Sequence, residues 1–211
     1  MPVPYFVARP SDDGDAAPNG AGVIVVLEGN GMSLQLLRVC ERLAAQGYVA
    51  LAPDLFARFG PPDPEATMAL GWFSKLQDED ALADLTEAAA ELRQRFGVGK
   101  VGITGFCNGG RLSYRAATSG VPVDAAVGFY GGRIAQQLGT PACPTLLFFG
   151  DQDEYIPMSD VEAVEQAHPG QVVVYQGAEH GFFRDGSPSY HEEAARDTWT
   201  RLLAFFGEHL T

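Results

Sequence analysis

Cys107 is the residue of this chain best suited to attack a carbonyl carbon. It stands in the run Gly102-Ile103-Thr104-Gly105-Phe106-Cys107-Asn108-Gly109-Gly110, an apolar strand followed by a glycine-flanked cysteine and a helix-forming stretch. A sharp strand-to-helix turn holds its central residue in a strained backbone conformation. Neighbours without Cβ atoms then let strand and helix approach each other. The turn also sets the sulfur at a helix N-terminus, where free N–H groups and the helix dipole favour a thiolate. Serine is the more usual nucleophile in such a turn. A cysteine packed in a glycine-rich loop would have the same local sequence, so the reading depends on partners further along.

Two partners follow, in order. Pro144-Thr145-Leu146-Leu147-Phe148-Phe149-Gly150 reads as a buried parallel strand, and it ends in Asp151-Gln152-Asp153-Glu154-Tyr155-Ile156-Pro157. Gln171-Val172-Val173-Val174-Tyr175 reads as another strand, followed by Gly177-Ala178-Glu179-His180-Gly181-Phe182. A cysteine, an acid and a histidine thus each follow a separate strand, and in a parallel sheet those loops share one edge. Nucleophile, acid, histidine is the chain order of an α/β-hydrolase. A free thiol has a pKa of about 8.5, so a base is needed near neutral pH. His180 can take the proton, and the acid can hold its tautomer and stabilise the imidazolium. The oxyanion formed on attack would meet the backbone N–H of Asn108 and that of Gly29, on the loop after an early strand. Sulfur leaves more readily than an alkoxide, which favours esters and lactones over amides as substrates.

The pieces Gly105-Phe106-Cys107-Asn108-Gly109-Gly110, Gly150-Asp151-Gln152-Asp153 with Ile156-Pro157, and His180-Gly181-Phe182 resemble the dienelactone hydrolase family. So do Pro53-Asp54-Leu55-Phe56 and Gly128-Phe129-Tyr130-Gly131, and the likeness runs from about residue 23 to residue 206. The resemblance implies a triad of Cys107, His180 and Asp153, with Asp151 left to cap its loop. It further implies a hydrolase of the carboxymethylenebutenolidase type that forms a thioester and needs no cofactor. In that family a glutamate at an early strand end contacts the cysteine and is thought to activate it when substrate binds. Glu28, in Val26-Leu27-Glu28-Gly29, occupies that place; a structural carboxylate at a strand end is the alternative. Arg184 stands where the family carries an arginine for the substrate carboxylate, and a solvated surface arginine would have the same spacing. Phe106 and Tyr130 are candidates to line the pocket, or else core aromatics. There are two departures. The family's second carboxylate-binding arginine has no counterpart in residues 63–77, which offer only Lys75. Gly29-Asn30-Gly31 stands in place of a bulkier apolar pair.

The elements that must hold these groups alternate. Residues 3–9 read as a short edge strand, 23–27 as a central strand, 48–52 and 123–127 as further strands, and 100–104 as the strand before the nucleophile. Leu36, Leu37, Cys40, Leu43 and Ala44 share a helical face that stops at Gly47. Leu82, Leu85, Leu92 and Phe96 recur at helical spacing from Asp78 to Phe96. Further helices run from the nucleophile to about Thr118, around Val161 and Val164, and over residues 190–209. Strands alternating with helices predict an α/β fold, a mostly parallel, doubly wound sheet with helices on both faces, in a single domain over residues 1–211. Residues 57–77 are the least readable, with Trp72 and Phe73 expected either to cover the pocket mouth or to pack a short helix.

Composition narrows the function. Hydrophobic residues make up 46% and charged residues 19% of the 211, as in an ordinary globular protein. The net charge is −13; with no Lys/Arg cluster, the expectation is no nucleic-acid and no membrane partner. Three cysteines without framework spacing, and no leader pattern at the start, fit a cytoplasmic protein. Cys40 and Cys143 read as packing residues, Glu179 as exposed. His168, His191 and His209 lack metal-ligand spacing. The expected partner is therefore a small ester or lactone, bound by a monomer or a small homo-oligomer. Two other functions fit the same residues: a non-catalytic scaffold binding a small acidic ligand, and a thiol-dependent acyl transferase.

Overall fold

The structure, a computed structural model, describes residues 3–11, 16–60 and 70–211. Seven strands form one sheet: β1 (Tyr5–Ala8), β2 (Ala21–Val26), β3 (Val49–Pro53), β4 (Lys100–Phe106), β5 (Ala125–Phe129), β6 (Thr145–Gly150) and β7 (Val172–Tyr175). Their order is β1-β3-β2-β4-β5-β6-β7. β1 lies antiparallel at one edge and every other pairing is parallel. A strand buried on both faces needs no polar side, and β2 is accordingly an unbroken apolar run whose six residues are all buried.

The helices are α1 (Leu34–Ala45), α2 (Leu70–Phe73), α3 (Asp78–Phe96), α4 (Asn108–Thr118), α5 (Met158–Ala167) and α6 (Glu192–Leu210). Two strand glycines reveal which face each covers. Gly22 abuts Leu92 of α3, and it pairs in register with Val101. The next residue, Gly102, must point to the opposite face, where it meets Phe206 and Leu210 of α6. α1 shares the α6 face, with the Arg42 guanidinium 3.8 Å from the Trp199 ring centre. α4 shares the α3 face through an Arg111–Asp78 ion pair. The sheet is doubly wound, with helices on both faces as the sequence predicts.

The chain leaves β2 toward β3 on one side and returns to β4 on the other. The carboxyl ends of β2 and β4 therefore form the switch point of the sheet, the place where open α/β folds put their crevice. Several expected boundaries move by one or two residues, and two of the shifts have a clear cause. The strand expected over 123–127 begins only at Ala125, because the Asp124 carboxylate accepts from Val101 N–H at 2.8 Å and pairs with Arg93. The central strand starts at Ala21, two residues before the β-branched run, because Ala21 and Gly22 already pair with Lys100 and Val101. Of the hard-to-read stretch, residues 61–69 lie outside the described residues. The remainder contains the short helix α2, whose Trp72 packs on Phe56 with ring centres 6.0 Å apart.

Candidate active site

β4 ends at Phe106 and α4 begins at Asn108, so Cys107 alone makes the turn, at φ 55° and ψ −117°. Both of its backbone groups are tied. Its N–H donates to Phe129 O at 3.0 Å and its carbonyl accepts from Arg111 N–H at 3.1 Å. The flanking glycines have a steric cause. A Cβ on Gly105 would lie 2.4 Å from Gly109 O, and one on Gly109 would lie 2.4 Å from Val26 O. The helix start is wedged against β2 itself.

Asp153 and His180 converge on that sulfur. His180 Nδ1 is 2.8 Å from Asp153 Oδ2, and the Asp153 side chain has no exposure at all. The other carboxylate oxygen accepts from Tyr155 N–H at 2.9 Å, so the acid cannot turn away. The imidazole lies edge-on between two phenol rings, Tyr130 at 5.0 Å and Tyr155 at 5.1 Å. Burial works against the imidazolium, but hydrogen bonds to Asp153 and Cys107 and the charge of both outweigh it. His180 rises from 6.5 to about 9. Asp151 does another job: Oδ1 accepts from Gly177 N–H at 2.7 Å and joins the two loops.

Glu28 is buried where β2 runs out, in a tight turn closed by Gly31 N–H on its own carbonyl at 3.1 Å. Its carboxylate is turned to Arg184, whose Nε donates at 3.1 Å and whose Nη2 also bonds the same oxygen. Tyr130 O–H donates to the other oxygen at 3.3 Å. Tyr130 is wholly buried, and burial, reinforced by the Glu28 charge, pushes its phenol well above 10, so it stays a donor. Arg184 thus meets a carboxylate of its own chain. Phe106 is 3% exposed and packs on Phe129 and Phe183 at 4.7 and 5.2 Å, in the aromatic layer beneath the nucleophile. Gly29 is half-buried, and a Cβ there would meet nothing within 4 Å, so the space beside it is open.

Other residues singled out in the sequence lie elsewhere. Glu179 is exposed. Cys40 is on the buried face of α1, its thiol pushed up to about 12 by burial; Cys143 is half-buried and pushed to about 11 for the same reason. His168 hydrogen-bonds Tyr114 at 2.8 Å, His191 caps α6, and His209 packs on Phe205. Two residues near the site escaped the sequence reading. Tyr155 is 71% exposed yet touches His180. Arg111 is 7% exposed and reaches Asn108; its three-residue offset from Asn108 on a helix was a usable signal.

A strained cysteine turn at the switch point, with an aspartate and a histidine beyond the ends of β6 and β7, is the layout of an α/β-hydrolase fold. The chain belongs to the dienelactone hydrolase family, which it matches over residues 6–210. A "Putative carboxymethylenebutenolidase" of Salmonella typhimurium (strain LT2) is 35% identical over 227 residues, covering 98% of this chain and 83% of that protein. A "Carboxymethylenebutenolidase" of Pseudomonas sp. (strain P51) is 31% identical over 202 residues, covering 89% and 84%. The crystal structure of a "Putative Dienelactone Hydrolase" from Klebsiella pneumoniae aligns with a TM-score of 0.83 at 35% identity, over 97% of this chain and 92% of that one. The chain is a hydrolase of this family. Among the described residues no helix is long and apolar enough to cross a membrane.

Proposed function

We propose that this protein hydrolyses ester or lactone bonds of small molecules through a thioester at Cys107. The observation that carries the reading is the Asp153–His180 hydrogen bond, on a histidine that Cys107, strained into the turn just before α4, also acts upon. Sulfur attacks the carbonyl carbon. The oxyanion accepts from the N–H of Asn108, whose first-position amide has no acceptor inside its own helix, and from that of Gly29. As the C–O bond breaks, the leaving oxygen takes the proton from His180. Water then attacks the thioester, His180 takes its proton, and the C–S bond breaks to return the thiolate.

The proton affinity of His180 serves both halves. Two of the interactions that lift it come from Cys107. Acylation removes the charge and the hydrogen bond on sulfur, so the imidazole falls back toward a neutral base when water must be activated. Glu28 and Arg184 add a selective step. A substrate carboxylate competes with Glu28 for the guanidinium, so the Glu28–Arg184 pair opens for an acidic ligand and not for a neutral one. Tyr130 steadies Glu28 at rest, and Phe106 supports the turn from below.

The test is Cys107→Ala, with turnover of an aryl ester and of lactones bearing and lacking a carboxylate. Mass spectrometry should find an acyl group on Cys107 of the parent protein and none on the variant, with turnover lost at least a thousandfold. Turnover retained in the variant would overturn the covalent route. Accumulation of an ester when an alcohol is added would identify an acyl transferase instead.

A further inference from the structure

Arg111 has no role in that scheme, yet it is the most completely engaged cation near it. We propose that Arg111 is a positioning residue that fixes the Cys107–Asn108 peptide, so that the Asn108 N–H meets the developing oxyanion. The proposal rests on the acyl-transfer reading above.

Every nitrogen of the buried guanidinium is used. Nε donates to Asn108 Oδ1 at 2.9 Å, Nη1 donates to Asp78 Oδ2 at 2.8 Å and to Gln137 Oε1 at 2.9 Å, and Nη2 donates to Asp78 Oδ1 at 2.6 Å. Gln137 also donates to Asp78, at 3.3 Å, and Arg115 Nε lies 3.6 Å from the same oxygen. The hydrogen bond from Arg111 leads the interactions that hold the Asp78 carboxyl below its ordinary value. The guanidinium is therefore anchored from the first turn of α3 and from the 3-10 turn Ala135–Gln137 before it touches Asn108. A fork held bidentately on a carboxylate has little freedom left for its Nε.

What it holds matters more than how it is held. The backbone N–H of the same Arg111 bonds the Cys107 carbonyl. In a trans peptide the carbonyl and the N–H point in opposite directions, so fixing Cys107 C=O fixes the direction of Asn108 N–H. One residue thus holds the peptide at its oxygen and, through Nε, at the side chain of its second residue. A clamp that only joined α3 to α4 would need the Asp78 contact alone. A donor must be aimed at the oxyanion before the reaction, and an oxyanion donor removed outright costs about 10²–10³ in rate.

Two variants, Arg111→Met and Asn108→Ala, cut the tie from either side. Each is assayed for two reactions of Cys107: acylation by p-nitrophenyl acetate, which builds an oxyanion, and alkylation by iodoacetamide, which does not. We expect acylation and kcat to fall about tenfold in each, a fraction of the cost of losing the donor. Alkylation and KM stay within about twofold, and the double variant is no slower than the slower single one. Unchanged acylation, or acylation and alkylation falling together, overturns the proposal. If Arg111→Met does not fold, the ratio of the two rates in Asn108→Ala decides alone. A failure of the acyl-transfer reading is separable, because the parent protein would then form no acyl group on Cys107.

Discussion

His180 carries the sharpest consequence at the scale of single residues. Its folded value of about 9 lies above the ordinary 6.5, so its bonds stabilise the protein fully below pH 6.5, and that contribution is lost as pH rises through 9. Because the Cys107 hydrogen bond and charge both raise it, Cys107→Ala should bring the histidine pKa down toward 6.5 and flatten the loss of stability between those limits. An NMR titration of the imidazole, with urea unfolding at pH 6 and pH 9, checks both; an unmoved pKa would mean that Asp153 alone sets it. The Asp153–His180 pair was open to reading from motif order. The engagement of Glu28 with Arg184 was not, since the two stand 156 residues apart and nothing in either stretch marks the other.

The contact between β4, α4 and β2 decides whether the nucleophile turn forms at all. Gly109→Ala places a methyl group 2.4 and 2.7 Å from the backbone oxygens of Val26, the last residue of buried β2, and Leu27, the residue after it. The expected loss is about 3 kcal/mol, the upper part of the overpacking range, read from the shift of the urea midpoint. A shift under about 0.5 kcal/mol would show that α4 can lift away from β2. The long elements were legible for equally physical reasons. α3 occupies the residues its periodicity predicted, Asp78–Phe96, with Gly97 at φ 69° ending it. The errors fell where a side chain took over a backbone duty, as Asp124 does before β5, or where small residues hid a strand, as Ala21 and Gly22 do in β2. Arg111 was hidden for a related reason, because its anchor Asp78 lies 33 residues upstream on another helix.

Charge acts over the whole molecule. A net −13 opposes the approach of an anionic substrate before Arg184 can act, and salt weakens that long-range repulsion more than it weakens a half-buried pair. Raising ionic strength from 10 to 150 mM should therefore increase kcat/KM for a carboxylate-bearing lactone by about threefold and leave a neutral ester unchanged. A decrease for the anionic lactone would mean that local positive charge governs its capture. The seam between β2 and β4 adds a consequence of its own. Asp153, His180 and Cys107 all stand on the β4–β7 bank of the sheet, whereas Glu28 reaches in from the β1–β3 bank and is met by Arg184 across the divide. Under the proposed mechanism the sulfur and its proton carrier are thus rooted in one wing, and the carboxylate that occupies Arg184 in the other. An exchange of Glu28 in the β2 wing would free that guanidinium for an acidic ligand and leave Cys107, His180 and Asp153 on the far bank in place.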